Sequence, residues 1–164
     1  MAKITLKGNE IETNGNLPEV GQIAPDFKLV KSDLSELTLS ELKGKKVIFN
    51  IFPSVDTPVC ATQIKSFSQK AADKENTVLV FASQDLPFAA KRFCAAEGIE
   101  NAVTASDFKH NSLDSYGVKI TTGPLQGLCA RAVLVIDEEQ KVTYSELVPE
   151  IAQEPNYDAA LAAL

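Results

Sequence analysis

The chain has 164 residues, of which 45% are hydrophobic and 23% are charged, a composition typical of a globular protein. Its net charge is −6 and it has no cluster of lysines or arginines, which argues against nucleic acid or an anionic membrane surface as a partner. No apolar run is long enough to span a membrane, and residues 1–8 lack the apolar stretch of a secretory signal. We therefore expect a cytoplasmic protein, with one domain over residues 1–164.

The first fifty residues predict a hairpin followed by short strands. Residues 3–13 alternate apolar and polar side chains around a turn at Gly8-Asn9, as a β-hairpin does. Ser40 is expected to cap a brief helical turn that ends at Gly44. Strands are predicted over residues 27–30, 37–39 and 47–52, and the last of these is apolar enough to be buried on both faces.

From residue 45 onward, strands alternate with helices. Helices are predicted from 58 to about 74, from 87 to 98, from 112 to 116 and from 157 to 164, and strands over 77–82, 103–105, 132–136 and 142–145. Parallel strands need crossover helices, whereas the last two strands form an antiparallel pair. This order predicts an α/β protein with a mixed central sheet flanked by helices, a thioredoxin-like fold with an added N-terminal β-hairpin.

The segment Pro-Ser-Val-Asp-Thr-Pro-Val-Cys, residues 53–60, follows the most apolar strand and opens a helix. Thr57 is predicted to cap this helix, and Pro58 suits its first position because a missing N–H costs nothing there. Cys60 then lies in the first turn, where free backbone N–H groups favour an anion. The segment therefore predicts a cysteine that is held as a reactive thiolate.

The helix alone does not ionise such a cysteine. A thiol with an ordinary pKa of about 8.5 is only a few per cent ionised at pH 7, and near-complete ionisation needs about 3–4 kcal/mol. A helix N-terminus contributes about 0.3–1 kcal/mol, and at most about 2. We therefore expect a cation beside Cys60. His110 is interpreted as a surface histidine, so Arg131, which precedes a buried strand, is the better candidate for this cation. The residues alone still favour a solvated arginine at a strand end.

The cysteine pattern limits the possible sites. The chain has an odd number of cysteines, namely Cys60, Cys94 and Cys129. No two of them form a C-x-x-C pair, and the chain has one histidine. A structural zinc site needs four closely spaced ligands, and a static disulfide scaffold is unusual in a cytosolic chain of this size. Two roles remain for the cysteines: they are inert buried side chains, or they carry out redox chemistry.

The spacing of Pro53, Thr57 and Cys60 resembles the motif of the peroxiredoxin family, and within it the thiol peroxidase subfamily of the atypical two-cysteine type. Three further features support the resemblance, which covers essentially the whole chain. They are residues 85–88 with 92–94, residues 123–125 with 131–133, and the N-terminal hairpin.

The resemblance implies a role for each residue of the motif. Cys60 would attack the peroxide and become a sulfenic acid. Arg131 would hold the thiolate and polarise the peroxide, and the Thr57 hydroxyl would bond to one of them. Pro53 would shield the thiolate from water. Cys94 would be the resolving cysteine, which forms an intramolecular disulfide with Cys60.

That disulfide implies a structural change. Cys60 and Cys94 belong to successive helices, and a disulfide requires their Cα atoms to lie within about 7 Å, so one or both helices are expected to unwind partly. Cys129 has no role carried over from the subfamily. It reads as a small side chain near the site, with an alternative resolving role as the minor interpretation.

The resemblance further implies hydrogen peroxide or alkyl hydroperoxides as substrates, thioredoxin as the reductant, a homodimer, and no metal, haem or flavin. Two other functions stay open at this point. A dithiol disulfide reductase is disfavoured because it needs a C-x-x-C pair at one helix start. A non-catalytic redox sensor would be oxidised by peroxide without turnover.

Overall fold

The N-terminal hairpin consists of β1 (Lys3–Leu6) and β2 (Asn9–Glu12), in a computed structural model that describes all of residues 1–164. Its turn is Lys7-Gly8, one residue earlier than the sequence predicts. Both turn residues have positive φ, 50° for Lys7 and 84° for Gly8. A two-residue turn of this kind matches the twist of the strands, which explains the shift.

A seven-stranded sheet forms the centre of the fold, in the order β4-β3-β7-β6-β5-β8-β9. Neighbours among β5, β6 and β7 run parallel and all other neighbours run antiparallel, so the predicted mixed sheet is confirmed. The strands are β3 (Lys28–Lys31), β4 (Glu36–Thr38), β5 (Lys46–Ile51), β6 (Thr77–Ser83), β7 (Val103–Ser106), β8 (Ala132–Ile136) and β9 (Val142–Leu147).

The helices are α1 (Pro58–Lys70), α2 (Pro87–Glu97) and α3 (Tyr157–Ala162), with 3₁₀ turns at Ser40–Leu42 and Ser112–Tyr116. Helix α1 ends about four residues earlier than predicted, because residues 73–76 are all polar and have nothing to bury against the sheet. The prediction that Ser40 caps the first 3₁₀ turn was wrong. Leu39 holds that position, and the Ser40 hydroxyl donates to Thr38 Oγ1 instead.

The two faces of the sheet carry separate apolar cores. Along β5, Val47 and Phe49 enter one core and Ile48 enters the other, as alternation in a strand requires. All three α-helices contribute to the core that contains Ile48, and Cys60 is part of it. The opposite core contains Tyr116 of the second 3₁₀ turn. Helix α1 therefore packs Cys60 directly against the sheet.

A third, smaller core attaches the hairpin to the end of the sheet. Its buried members are Ile4, Ile11, Ile120, Ala130 and Ile151. Because Ala130 lies two residues before β8, this cluster places the hairpin beside the first residue of that strand. None of the helices combines the length and apolar character that crossing a membrane requires.

Candidate active site

The strand register brings together two residues that are far apart in the sequence. Ile51, the last residue of β5, pairs with Ala132, the first residue of β8. Because the two strands are antiparallel, β8 begins at the carboxyl end of β5, where residues 53–60 lead into α1. Arg131 and Cys60 therefore reach the same edge of the sheet, as predicted for loops that gather at strand ends.

Cys60 has no exposed surface and lies in the first turn of α1. Pro58 has no N–H, and the backbone hydrogen bonds leave the N–H groups of Val59 and Cys60 without a partner. Arg131 Nη1 lies 3.2 Å from Cys60 Sγ. A helix N-terminus and a cation therefore converge on one sulfur, an arrangement that stabilises a thiolate.

Arg131 is itself buried, with 2% of its surface exposed. Its other acceptors are neutral: Nη1 donates to Gln63 Oε1 and Nε donates to the Ile151 carbonyl, both at 2.9 Å. No carboxylate forms an ion pair with it. A buried cation without a counter-ion is costly, so the site favours an anionic group beside Arg131.

Gln63 and Asn50 are buried polar residues that the sequence analysis missed. Gln63 lies one turn beyond Cys60 and its Nε2 donates to Asn50 Oδ1 at 3.0 Å. Asn50 lies on β5, and neither residue has exposed surface. The signal was a single amide in an otherwise apolar strand, which requires a buried partner.

Thr57 occupies the N-cap position of α1 as predicted, but the predicted capping hydrogen bond is absent. Its hydroxyl donates to the Ser54 carbonyl at 2.9 Å. The hydroxyl oxygen thereby keeps its acceptor capacity. Pro53 is buried and shares a pocket wall with Thr57.

Asp85 fixes the loop that contains the motif, a role that the sequence did not reveal. One carboxylate oxygen accepts from Ser54 Oγ and the other from the Val55 N–H, each at 2.8 Å. Asp85 also accepts from Ser83 Oγ at 3.1 Å. The loop is thus anchored to the carboxyl end of β6, just before α2.

A pocket of about 290 Å³ opens beside these residues. Pro53, Thr57 and Arg131 form one part of its wall, and Cys60 lies behind them without contributing surface. The remaining wall is mainly apolar and comes from the hairpin and neighbouring loops, with Leu6, Lys7, Pro58, Val59, Leu125, Ile151 and Ala152. The pocket can therefore receive a small polar group carried on an apolar body.

The structure does not bring Cys94 into contact with Arg131 or with the Cys60 sulfur. All three cysteines are free thiols, and Cys94 is partly buried on α2. Burial raises the pKa of the Cys94 thiol. A disulfide with Cys60 would require the Cys60 sulfur to leave Arg131, so the expected rearrangement of the helices stays a prediction.

Cys129 is close to Arg131 in sequence but lies in the core on the opposite face from Cys60. Burial, and secondarily the nearby Asp107 carboxylate, raise the pKa of Cys129 to about 12. The sulfur accepts one side-chain hydrogen bond, from Gln84 Nε2 at 4.0 Å. This thiol is therefore sequestered rather than placed at the site.

His110 lies outside the site. Its Nε2 is 3.2 Å from Glu36 Oε2, and the residue is exposed on a loop. The structure assembles no cluster of three or more His, Cys, Asp and Glu side chains that could hold a metal ion.

Known proteins share this arrangement of chain and fold. Residues 19–161 match the Redoxin family. The chain is 57% identical over 164 residues to a thiol peroxidase of Mycobacterium tuberculosis and 50% identical to a thiol peroxidase of Corynebacterium glutamicum, covering 100% of this chain and 99% of each relative. It also superposes on the crystal structure of a peroxiredoxin-like protein from Aquifex aeolicus, with a TM-score of 0.94 at 42% identity, covering 99% of this chain and 95% of that one.

Proposed function

The chain belongs to the Redoxin family, and from that premise we propose that it is a thiol peroxidase whose nucleophile is Cys60. One observation carries the proposal: Arg131 Nη1 contacts Cys60 Sγ at 3.2 Å in a buried site at a helix N-terminus. The relatives named thiol peroxidase, at 50% and 57% identity over the whole chain, support it. We propose further that residues 1–164 act as one domain.

The proposed first step is displacement at a peroxide oxygen. The Cys60 thiolate attacks one oxygen of R–O–O–H, the S–O bond forms and the O–O bond breaks. The leaving alkoxide takes a proton from solvent and departs as R–OH, and Cys60 becomes a sulfenic acid. Arg131 can donate to the sulfur and to the departing oxygen, where negative charge develops.

The pocket supports organic hydroperoxides as substrates in addition to hydrogen peroxide. Its apolar wall, including Leu6, Leu125 and Ile151, would cover the organic group while the peroxide group enters between Thr57 and Arg131. The acceptor capacity left on the Thr57 hydroxyl suits the peroxide hydrogen. Pro53 would limit the access of water to the sulfur.

The proposed second step closes the cycle. The Cys94 thiolate attacks the sulfenic sulfur, a Cys60–Cys94 disulfide forms, and hydroxide leaves as water. A dithiol reductant of the thioredoxin class then reduces the disulfide and is itself oxidised. The chain's own thiols supply the chemistry of both steps. A homodimer and a cytoplasmic location are proposed from the family resemblance and from the sequence, respectively.

The test is a peroxide-consumption assay with thioredoxin and its reductase. We expect turnover by the wild type, none by Cys60→Ser, and a single oxidation without turnover by Cys94→Ser. Cys129→Ser is the matched control and should turn over normally. Unchanged turnover by Cys60→Ser would refute the proposal.

The same assay separates the other two functions. Stoichiometric oxidation of the wild type without turnover would favour a redox sensor. Reduction of an added disulfide substrate, with no consumption of peroxide, would favour a disulfide reductase. Light scattering of the eluted protein from size-exclusion chromatography tests the homodimer, and a mass of one chain would refute it.

A further inference from the structure

Glu150 joins the N-terminal hairpin to residues 149–152, the segment whose Ile151 carbonyl accepts a hydrogen bond from Arg131. Its Oε1 accepts a hydrogen bond from the Gly8 N–H at 2.9 Å and from the Thr5 hydroxyl at 3.1 Å. Its Oε2 accepts from the Ala152 N–H at 2.9 Å. One carboxylate therefore bridges the turn of the hairpin and the residue that follows Ile151.

The backbone reinforces this bridge. The Thr5 N–H donates to the Pro149 carbonyl at 2.8 Å, and the Ile151 N–H donates to the Thr5 carbonyl at 2.9 Å. The Ile151 side chain is buried in the small core with Ile4 and Ile11. The peptide groups around Ile151 are thus held by the hairpin on one side and by Glu150 on the other.

The Ile151 carbonyl is the acceptor for Arg131 Nε, at 2.9 Å. A guanidinium is planar, so fixing Nε restricts where Nη1 can point. In this structure Nη1 points at Cys60 Sγ. Rotation or displacement of the Ile151 peptide would therefore change the contact between the arginine and the sulfur.

We propose that Glu150 is a positioning residue for Arg131: its carboxylate holds the hairpin against residues 149–152, so that the Ile151 carbonyl keeps the guanidinium aimed at Cys60. Hydrogen bonds from the Ala152 and Gly8 N–H groups hold the pKa of the Glu150 carboxyl below its ordinary value, so the acceptor is ionised at neutral pH. The inference rests on the proposed function and gives the N-terminal hairpin a part in it.

The test measures Cys60 oxidation directly, in a Cys94→Ser parent so that the sulfenic acid persists. Hydrogen peroxide is the probe, and the sulfenic acid is trapped with dimedone and quantified on the Cys60 peptide by mass spectrometry. Glu150→Ala removes three hydrogen bonds to the carboxylate, and we expect it to lower the second-order rate constant about tenfold because Arg131 is no longer held in position. Glu139→Ala, an exposed carboxylate with no side-chain partner, should leave the rate constant unchanged.

A double-mutant cycle distinguishes positioning from general structural support. In an Arg131→Met background, which has no guanidinium to aim, Glu150→Ala should cause no further loss. Glu150→Gln retains one acceptor oxygen and should recover part of the rate. It also provides the measurement if Glu150→Ala fails to fold, which the thermal midpoint reports.

Two results would overturn the inference: an unchanged rate constant in both Glu150 variants, or the same fold loss with and without Arg131. A parent protein that forms no sulfenic acid with peroxide would instead refute the proposed function. The two failures are therefore distinguishable in one experiment.

Discussion

Arg131 Nη1 serves both the Cys60 sulfur, at 3.2 Å, and Gln63 Oε1, at 2.9 Å. Gln63 orients its amide through the second hydrogen bond, from Nε2 to Asn50 Oδ1. The buried amide of Asn50, on the central strand, thus fixes the Gln63 side chain with its oxygen toward the arginine. The site depends on a chain of three buried polar residues that leads away from the sulfur.

Replacing Gln63 with leucine should weaken both stability and reactivity. Gln63→Leu leaves the Asn50 oxygen and one guanidinium N–H buried without a partner, which costs about 1–3 kcal/mol in the free energy of unfolding. The rate of Cys60 oxidation should fall as well, because Arg131 loses a fixed acceptor. Urea denaturation and a peroxide rate measurement check this. Gln69→Leu, at an exposed position of the same helix, should change stability by less than about 0.5 kcal/mol.

Asp85 and Asp56 should differ in their importance, although Asp56 lies within residues 53–60 and Asp85 does not. Asp85→Ala removes the acceptor for Ser54 Oγ and the Val55 N–H, and should cost about 1–3 kcal/mol and slow the peroxide reaction. Asp56 pairs with Arg92 at 3.1 Å, but both side chains are about two-thirds exposed. Asp56→Ala should therefore cost at most about 1 kcal/mol. Equal losses in the two variants would contradict the anchoring role of Asp85.

The buried carboxyl of Asp107 should make stability depend on pH. Burial raises the pKa of Asp107, although the N–H groups of Leu113 and Ser112 act in the opposite direction. A raised native pKa means that the native state binds the proton more tightly than the unfolded state. The contribution of Asp107 to stability is therefore fully present below its pKa in the unfolded state, about 4. It is lost as the pH rises through its pKa in the native state.

The variant Asp107→Asn should therefore flatten the stability profile above pH 4, whatever its absolute stability. Urea midpoints measured from pH 4 to pH 7 check this against the wild type. Asp73→Asn, at an exposed position, is the control and should keep the wild-type slope. The same slope in Asp107→Asn would show that this carboxyl does not titrate differently in the native state.

Cys129 should be chemically silent in the folded protein. With a pKa raised to about 12, its thiol stays protonated from pH 6 to pH 10, and only the thiolate is nucleophilic. Iodoacetamide should therefore modify Cys129 in urea but not in native protein, as peptide mapping would reveal. Cys129→Ala should retain peroxide turnover within about twofold, since Cys129 lies in the core on the opposite face from Cys60. A loss as large as that of Cys94→Ser would make Cys129 the resolving cysteine.

Oxidation should loosen α1 and α2. The disulfide would close a separation of 34 residues, worth about 4 kcal/mol against the unfolded chain, and distortion of the helices would cancel part of this. We expect faster amide hydrogen exchange at the start of α1 and around Cys94 in the oxidised protein. Resolution should also speed up from pH 7 to pH 9, because the attacking species is the thiolate and burial raises the pKa of Cys94. Identical exchange in the two redox states would argue against unwinding.

Sequence patterns were sufficient for the elements that depend on local chemistry. The apolar run of β5, Pro58 at the start of α1 and Gly98 after α2 each placed a boundary to within a few residues. The hydroxyl of Thr57 was assigned the wrong partner, because the Ser54 carbonyl and the helix N–H groups compete for it and only the loop conformation decides. Residue type alone does not contain that conformation.

Contacts between distant elements were beyond the sequence. Nothing local distinguishes the buried Gln63 from the exposed Gln69, since the burial of each depends on how α1 rotates against the sheet. The same holds for Asp85 and Glu150, whose partners lie 30 and about 145 residues away. Arg131 was identified only through family resemblance, because its burial depends on the pairing of β5 with β8.

The pairing of Ile51 with Ala132 has a consequence for how this site can vary. Side chains alternate along a strand, so a slip of β8 by one residue would turn Arg131 to the opposite face and into the core that holds Cys129. A guanidinium there would lie on the opposite face of the sheet from Cys60 and could not contact its sulfur. The loop over residues 121–130 can therefore change its length only when the pairing of β5 with β8 is preserved. The contact between Arg131 and Cys60 depends on that pairing as well as on the cysteine.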